Sequence, residues 1–356
     1  MTAGGEGLSR PPTGLGRAVR LEVAGWSVRA RPRAAVAVTV LAALVFLLVV
    51  AGILVGGPGV ALSDVPAALA GQGDMATTYV VQSVRLPRVG VAVLAGLALG
   101  ASGMLFQNIG RNPLASPDMI GFTAGASAGA VLQILVFDAG AAAVAAGAVA
   151  GGLLTGLAVY LLAHRTGLHG QRLVVVGVGL AAMLLACTYY LLARADRTEV
   201  RVAAEWLTGS LNGRTWEHAV PLAVMVALSL PALAVLMPRL RALELGDDSA
   251  RSLGVDVERA RLAALLVGVG LASGAVAAAG PIPFIALAAP QLAARITRGS
   301  PTALWPAALC GAVLLLGGDA LTQQLFPGAK LPVGVVTGAL GGIYLASLVR
   351  RGGRAS

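Results

Sequence analysis

Gly125-Ala126-Ser127-Ala128-Gly129 has the Gly-x-Ser-x-Gly spacing that presents a serine nucleophile on a sharp turn between a strand and a helix. Such a serine needs a histidine at the same depth, and the chain has three, His164, His169 and His218. Ser127 stands well inside an apolar run, roughly 13 Å along a helix. His164 and His169 fall in the connection that follows the next run, and His218 opens a later one. The five residues therefore read as a small-residue packing face. Cys187 and Cys310 also lie within apolar runs, without metal-ligand spacing, and read as small buried apolar residues. A phosphate-binding loop requires Gly-x-x-x-x-Gly-Lys-Ser/Thr. The single lysine among the 26 basic residues is Lys330, followed by Leu331. ATP, if it is used, binds another polypeptide, and no cofactor or metal site is expected. Asp319 is the one good candidate for an ionisable residue deep in an apolar run; it could relay protons or be a structural acid hydrogen-bonded near a helix end. Asn112-Pro113-Leu114-Ala115 is similar to the half-helix motif of water channels, but it occurs once and reads as a helix-breaking turn.

The elements that carry these residues are set by composition. Of 356 residues, 57% are hydrophobic and 12% charged, against roughly 45–50% and 25% in soluble domains. The excess calls for lipid as a second apolar solvent. Among the 48 glycines several recur at four-residue spacing, as in Gly121, Gly125 and Gly129, which allows close approach of membrane helices. An all-α polytopic protein is expected, with about ten transmembrane helices near 34–55, 89–107, 118–137, 139–163, 172–193, 216–237, 259–280, 284–296, 303–322 and 333–349. The net charge of +10 does not indicate nucleic acid, because the basic residues sit at the ends of apolar runs. With the N-terminus inside, 19 Arg/Lys fall on inward segments and 7 on outward ones, so both termini are expected in the cytoplasm. The expected organisation is a basic leader over 1–33, a membrane domain over 34–350 with its largest inward loop at about 239–258, and a tail over 351–356. Ala203–Leu211 could form a short helix at the outer surface.

Five ordered motifs carry a resemblance over about residues 34–350. They are Arg85-Leu86-Pro87-Arg88, Asn112-Pro113-Leu114-Ala115, the loop Leu245–Val255, Gly280-Pro281-Ile282-Pro283-Phe284-Ile285-Ala286-Leu287 and Leu331-Pro332-Val333-Gly334-Val335-Val336-Thr337. Together they resemble the FecCD family of permeases, whose importers are of iron-siderophore, haem and vitamin B12 type. The chain departs from the commoner pattern at Gln291, where many members have His, at Gln323 for Arg, at Lys330 for an acid, and in lacking Gly-x-Pro after Thr337. Ala289-Pro290-Gln291-Leu292 and Gly341-Gly342-Ile343-Tyr344 look more like the ferric-enterobactin branch.

The resemblance implies a BtuC-like permease fold in the cytoplasmic membrane. It also implies a second permease subunit (a homodimer or a related chain), two ABC ATPase subunits inside, and an extracytoplasmic siderophore-binding protein outside. Arg85 and Arg88 match arginines that meet glutamates of the binding protein. Gly246, Asp247, Ala250, Leu253 and Gly254 fall in the segment that docks on the ATPase. Asp247 and Asp248 suit the first turn of a short helix and Gly254 its end, with Ala250 and Leu253 forming a knob on one side. Asn112 and Pro113 are candidates for an inner gate, and Trp206, Gly209 and Thr337 for an outer gate or pathway. The expected function is transport without catalysis. A proton-coupled secondary carrier working through Asp319, or an importer of haem or vitamin B12, stands as the alternative.

Overall fold

The computed structural model describes residues 19–23, 26–30, 32–55, 60–164, 170–298, 303–325 and 331–352; His169, Lys330, the first 18 residues and the last four lie outside the described residues. The basic leader contains an antiparallel hairpin, β1 (Val19–Val23) and β2 (Trp26–Ala30), with Arg20 opposite Arg29. Composition had suggested no strand there. The apolar–polar alternation of Val19-Arg20-Leu21-Glu22-Val23 is the period-2 signal that accounts for it. Every other described element is helical.

The chain continues through α1 (Pro32–Val55), α2 (Val65–Leu69), α3 (Met75–Tyr79) and a π-helical turn over Val80–Arg85 into α4 (Leu86–Gly110). It then forms α5 (Phe122–Leu135), α6 (Ala141–His164), α7 (Gly170–Arg194), α8 (Arg197–Leu207) and α9 (Trp216–Leu243). The short α10 (Asp247–Ser252) precedes α11 (Val257–Ala279), α12 (Ile285–Thr297), α13 (Leu304–Leu325) and α14 (Val333–Gly352). Each of the ten apolar runs is helical, but they are not ten equal spans. Among the described residues, seven stretches are long and apolar enough to cross a membrane: Arg33–Val55, Met75–Gly110, Ala141–Ala163, Arg172–Arg194, Trp216–Leu243, Val257–Ala279 and Leu304–Leu325. Helices α5 and α12, of 14 and 13 residues, reach only about 20 Å, short of a ~30 Å hydrocarbon core. The physical reason is that α5 and α12 begin beyond turns packed inside the bundle. Their N-caps, Gly121 (φ 89°) and Phe284 (φ 68°), take left-handed backbone.

Helix α4 is the axis of the packing, buried along nearly its whole length and touching α11, α12 and α13. Its glycines let backbones meet: a Cβ on Gly103 would lie 1.7 Å from the Ala286 carbonyl oxygen. The expected small-residue face of α5 is present, since a Cβ on Gly129 would lie 2.1 Å from the Gly147 oxygen of α6. Ser127 is buried in that helix, without the strand-to-helix turn of a nucleophile. Helices α1, α7 and α9 present apolar side chains outward, among them Phe46, Met183 and Leu228, a surface suited to lipid. Cys310 is buried in α13, but Cys187 is exposed because α7 lies at this periphery.

Candidate functional site

At one end of the bundle α9 stops and the chain reverses into α10. Gly246 takes φ 102°, and its carbonyl accepts the Ala250 N–H at 2.9 Å. Gly254 takes φ 78° and ends the helix: its N–H donates to Arg251 O at 2.9 Å, and that of Val255 to Ala250 O at 3.0 Å. This pair of bonds satisfies the last carbonyls, as a Schellman closure does. The expected knob is corrected in one respect. Ala250 has no exposed surface and is turned into the bundle, whereas Leu253 is 64% exposed and Leu245 66%. One turn of helix cannot present Ala250 outward while its backbone is folded under α9 and α11. The exposed apolar pair is Leu245 and Leu253.

Asp247 faces the bundle. Its carboxylate accepts from Arg261 Nη2 of α11 at 2.9 and 3.1 Å and from Arg111 Nη2, which also donates to Leu243 O at 3.2 Å. Arg111 closes α4 in left-handed backbone (φ 46°) and leads into Asn112 and Pro113. The Asn112 Oδ1 accepts the Leu114 N–H at 2.9 Å, which fixes the turn. Gln291 of α12 donates from Nε2 to Pro113 O at 2.7 Å, and its Oε1 accepts from Tyr344 Oη of α14 at 3.2 Å. The Arg295 guanidinium lies 5.5 Å from the Tyr344 ring centre.

At the opposite end, α8 begins at Asp196, whose backbone N–H donates to Glu199 Oε2 at 3.3 Å, the return half of a capping box. The helix starts six residues before the expected one and carries exposed Arg197, Glu199, Arg201 and Glu205. Trp206, Gly209 and Thr337 belong to one junction. Gly209 (φ 68°) donates to Trp206 O at 3.2 Å, and its carbonyl accepts from Gly334 N at 3.0 Å, one turn before buried Thr337. Ser210 N donates to Ala279 O at 2.8 Å, joining the segment to the end of α11. A cavity of about 250 Å³ beside α8 is lined by Trp206, Arg214, His218 and Asp138 among others. Burial lowers the Arg214 pKa from its ordinary value, with Glu205 opposing the shift.

Arg85 and Arg88 do not stand free on this face. Arg85 is 2% exposed, and its Nη1 donates to Ile53 O at 2.8 Å and Leu54 O at 3.1 Å, the last carbonyls of α1. Arg88 forms a two-pronged pair with Asp319, Nε to Oδ2 at 3.0 Å and Nη2 to Oδ1 at 2.7 Å. Gln323 adds a third bond to Asp319 Oδ2 at 2.9 Å. The intramembrane acid is thus a partner of an arginine from a helix 231 residues earlier. Sequence reading also passed over Asp118, which accepts from Thr123 Oγ1 at 2.6 Å. It passed over Arg111 and Arg261 as well. An arginine directly after a helix end was the one available signal for Arg111.

The sequence matches the FecCD transport family over residues 43–351. It is 49% identical over 287 residues to the ferric enterobactin transport system permease protein FepG of Escherichia coli (strain K12), covering 81% of this chain and 87% of that one. It is 34% identical to the Fe(3+)-citrate import system permease protein YfmE of Bacillus subtilis (strain 168), over 91% of this chain and 97% of the other. Among solved structures, an inward-facing metal-chelate type ABC transporter superposes with a TM-score of 0.76 at 27% identity, covering 88% of this chain and 99% of that one.

Proposed function

Because the chain belongs to the FecCD transport family, we propose that it is the membrane-spanning permease subunit of an ABC importer that moves ferric siderophores across the cytoplasmic membrane. The observation that carries this reading is α10, a six-residue helix flanked by exposed Leu245 and Leu253 on a chain without a phosphate-binding loop. It has the form of a contact for a separate ATPase. The excess of arginine on the segments that share its side supports a cytoplasmic position for this end and for both termini. Two ATPase subunits dock there, and a siderophore-binding protein docks at the α8 end, where the exposed charges are those of α8 rather than Arg85 and Arg88. The cavity beside α8, about 250 Å³, is smaller than the roughly 300–1,000 Å³ of drug-sized ligand pockets. That supports a pathway formed between this chain and a second permease subunit. Ferric siderophore is favoured over haem or vitamin B12 by the FepG likeness. The Arg88–Asp319 pair disfavours a proton relay, since the acid is already neutralised by an arginine.

Leu253→Asp places a charge at the centre of the proposed ATPase contact. Co-purification of the ATPase should fall about tenfold while membrane insertion and yield stay unchanged, because Leu253 is 64% exposed. Unchanged co-purification would move the contact elsewhere on this face. The substrate is tested by uptake of labelled ferric siderophores, haem and vitamin B12 in a strain lacking the chain. Loss confined to one or more ferric siderophores is the expected result.

A further inference from the structure

The polar contacts at the α10 end form one continuous run. Asp247 opens α10 and holds Arg261 and Arg111 on the same carboxylate. The two arginines are placed differently. The Arg261 side chain is 11% exposed and belongs to the interior of α11, while that of Arg111 is 51% exposed and sits on the turn closing α4. Arg111 also reaches Leu243 O, so its guanidinium braces the end of α9 and the start of α10 together. Two residues later Pro113 O is held by Gln291 of α12, and Gln291 by Tyr344 of α14. Helices α5 and α12, on either side of this turn, are the two that begin inside the bundle at left-handed residues.

We infer that Arg111 is a positioning residue of the transport cycle: through Asp247 it ties α10 to the Arg111–Pro113 turn, and through Gln291 that turn to α12 and α14. The inference rests on the reading of α10 as the ATPase contact. Charge-assisted, two-partner bonds keep geometry well. A pair as exposed as Arg111–Asp247 adds little to stability, so its loss leaves the fold standing and removes a mechanical link. Arg261, with its side chain only 11% exposed, keeps α10 seated when Arg111 is gone. Movement of α10 then no longer reaches the turn.

The test uses the transporter assembled with its ATPase and binding protein in liposomes, where the wild type must first show ATP-driven uptake; failure at that stage is a failure of the functional reading itself. Arg111→Asn tolerates the left-handed backbone and removes the guanidinium. ATPase co-purification should stay at the wild-type level and hydrolysis within about twofold, while siderophore imported per ATP falls about tenfold. Arg111→Lys, which retains a cation, should recover at least half of that ratio. A wild-type ratio in Arg111→Asn overturns the inference. So does loss of ATPase co-purification in both variants, because Arg111 would then be holding the fold and not the link.

Discussion

Asp319→Ala is expected to destabilise the protein by about 3–5 kcal/mol, the cost of stranding one member of a buried ion pair. The Asp319 side chain is 6% exposed and that of Arg88 21%, and the two meet through both guanidinium prongs. Beside Asp319 lies a cavity of about 120 Å³ whose lining is mostly apolar, with Leu48, Val55, Val89 and Leu316. An unpaired guanidinium there has Gln323 beside it, which offers one amide oxygen in place of a carboxylate. The pair itself is worth far less than the cost of breaking it. Arg88→Met combined with Asp319→Leu should therefore recover most of the loss. Thermal unfolding of the purified protein in detergent would show a large drop for the single variant and a near-normal midpoint for the double. Transport by the double variant separates this account from a proton relay, which no apolar pair could serve. A single Asp319→Ala variant as stable as wild type would remove the structural role.

The second large effect is expected at Gly103, where α4 and α12 touch backbone to backbone. A Cβ there would stand 1.7 Å from Ala286 O and 2.6 Å from its carbonyl carbon, neither of which is a side chain able to turn away. Gly103→Ala must push the helices apart, at a cost of about 2–3 kcal/mol. It also strains the bond from Gln107 Nε2 to Leu287 O, 3.0 Å long and one turn further along. Gly103→Leu should abolish recovery of monodisperse protein. Gly317 provides the contrast, since a Cβ on it meets nothing within 4 Å. Gly317→Ala should match or slightly exceed wild-type stability, alanine being the better helix former. Equal midpoints for the two alanine variants would contradict the packing assigned to α4.

Helix positions were legible because twenty-residue apolar runs and glycines four apart are local signals. The end of α10 was legible for the same reason, as Gly254 supplies the left-handed residue that a helix end wants. What failed was facing. Ala250 and Leu253 share a side on a helical wheel, yet one is buried and one exposed, because a six-residue helix ends before its register can hold. Arg85 and Arg88 lie beside an apolar run, where arginine usually reaches for headgroups. Nothing near them in sequence reveals that their partners are the carbonyls of α1 and an acid on α13. The link from Asp247 to Arg111 spans 136 residues and that from Gln291 to Pro113 spans 178. Such contacts are set by how the bundle closes, which local pattern does not encode. The shortness of α5 and α12 was hidden too, since the apolar turn before each reads as part of the span.

The most direct measurement is uptake of a labelled ferric siderophore into liposomes holding this chain, with the binding protein outside and the ATPase present or omitted. Uptake should appear only when ATPase and internal ATP are both present, and an imposed proton gradient without them should drive none. Uptake by the chain alone, driven by a proton gradient in ATP-free liposomes, would contradict the account.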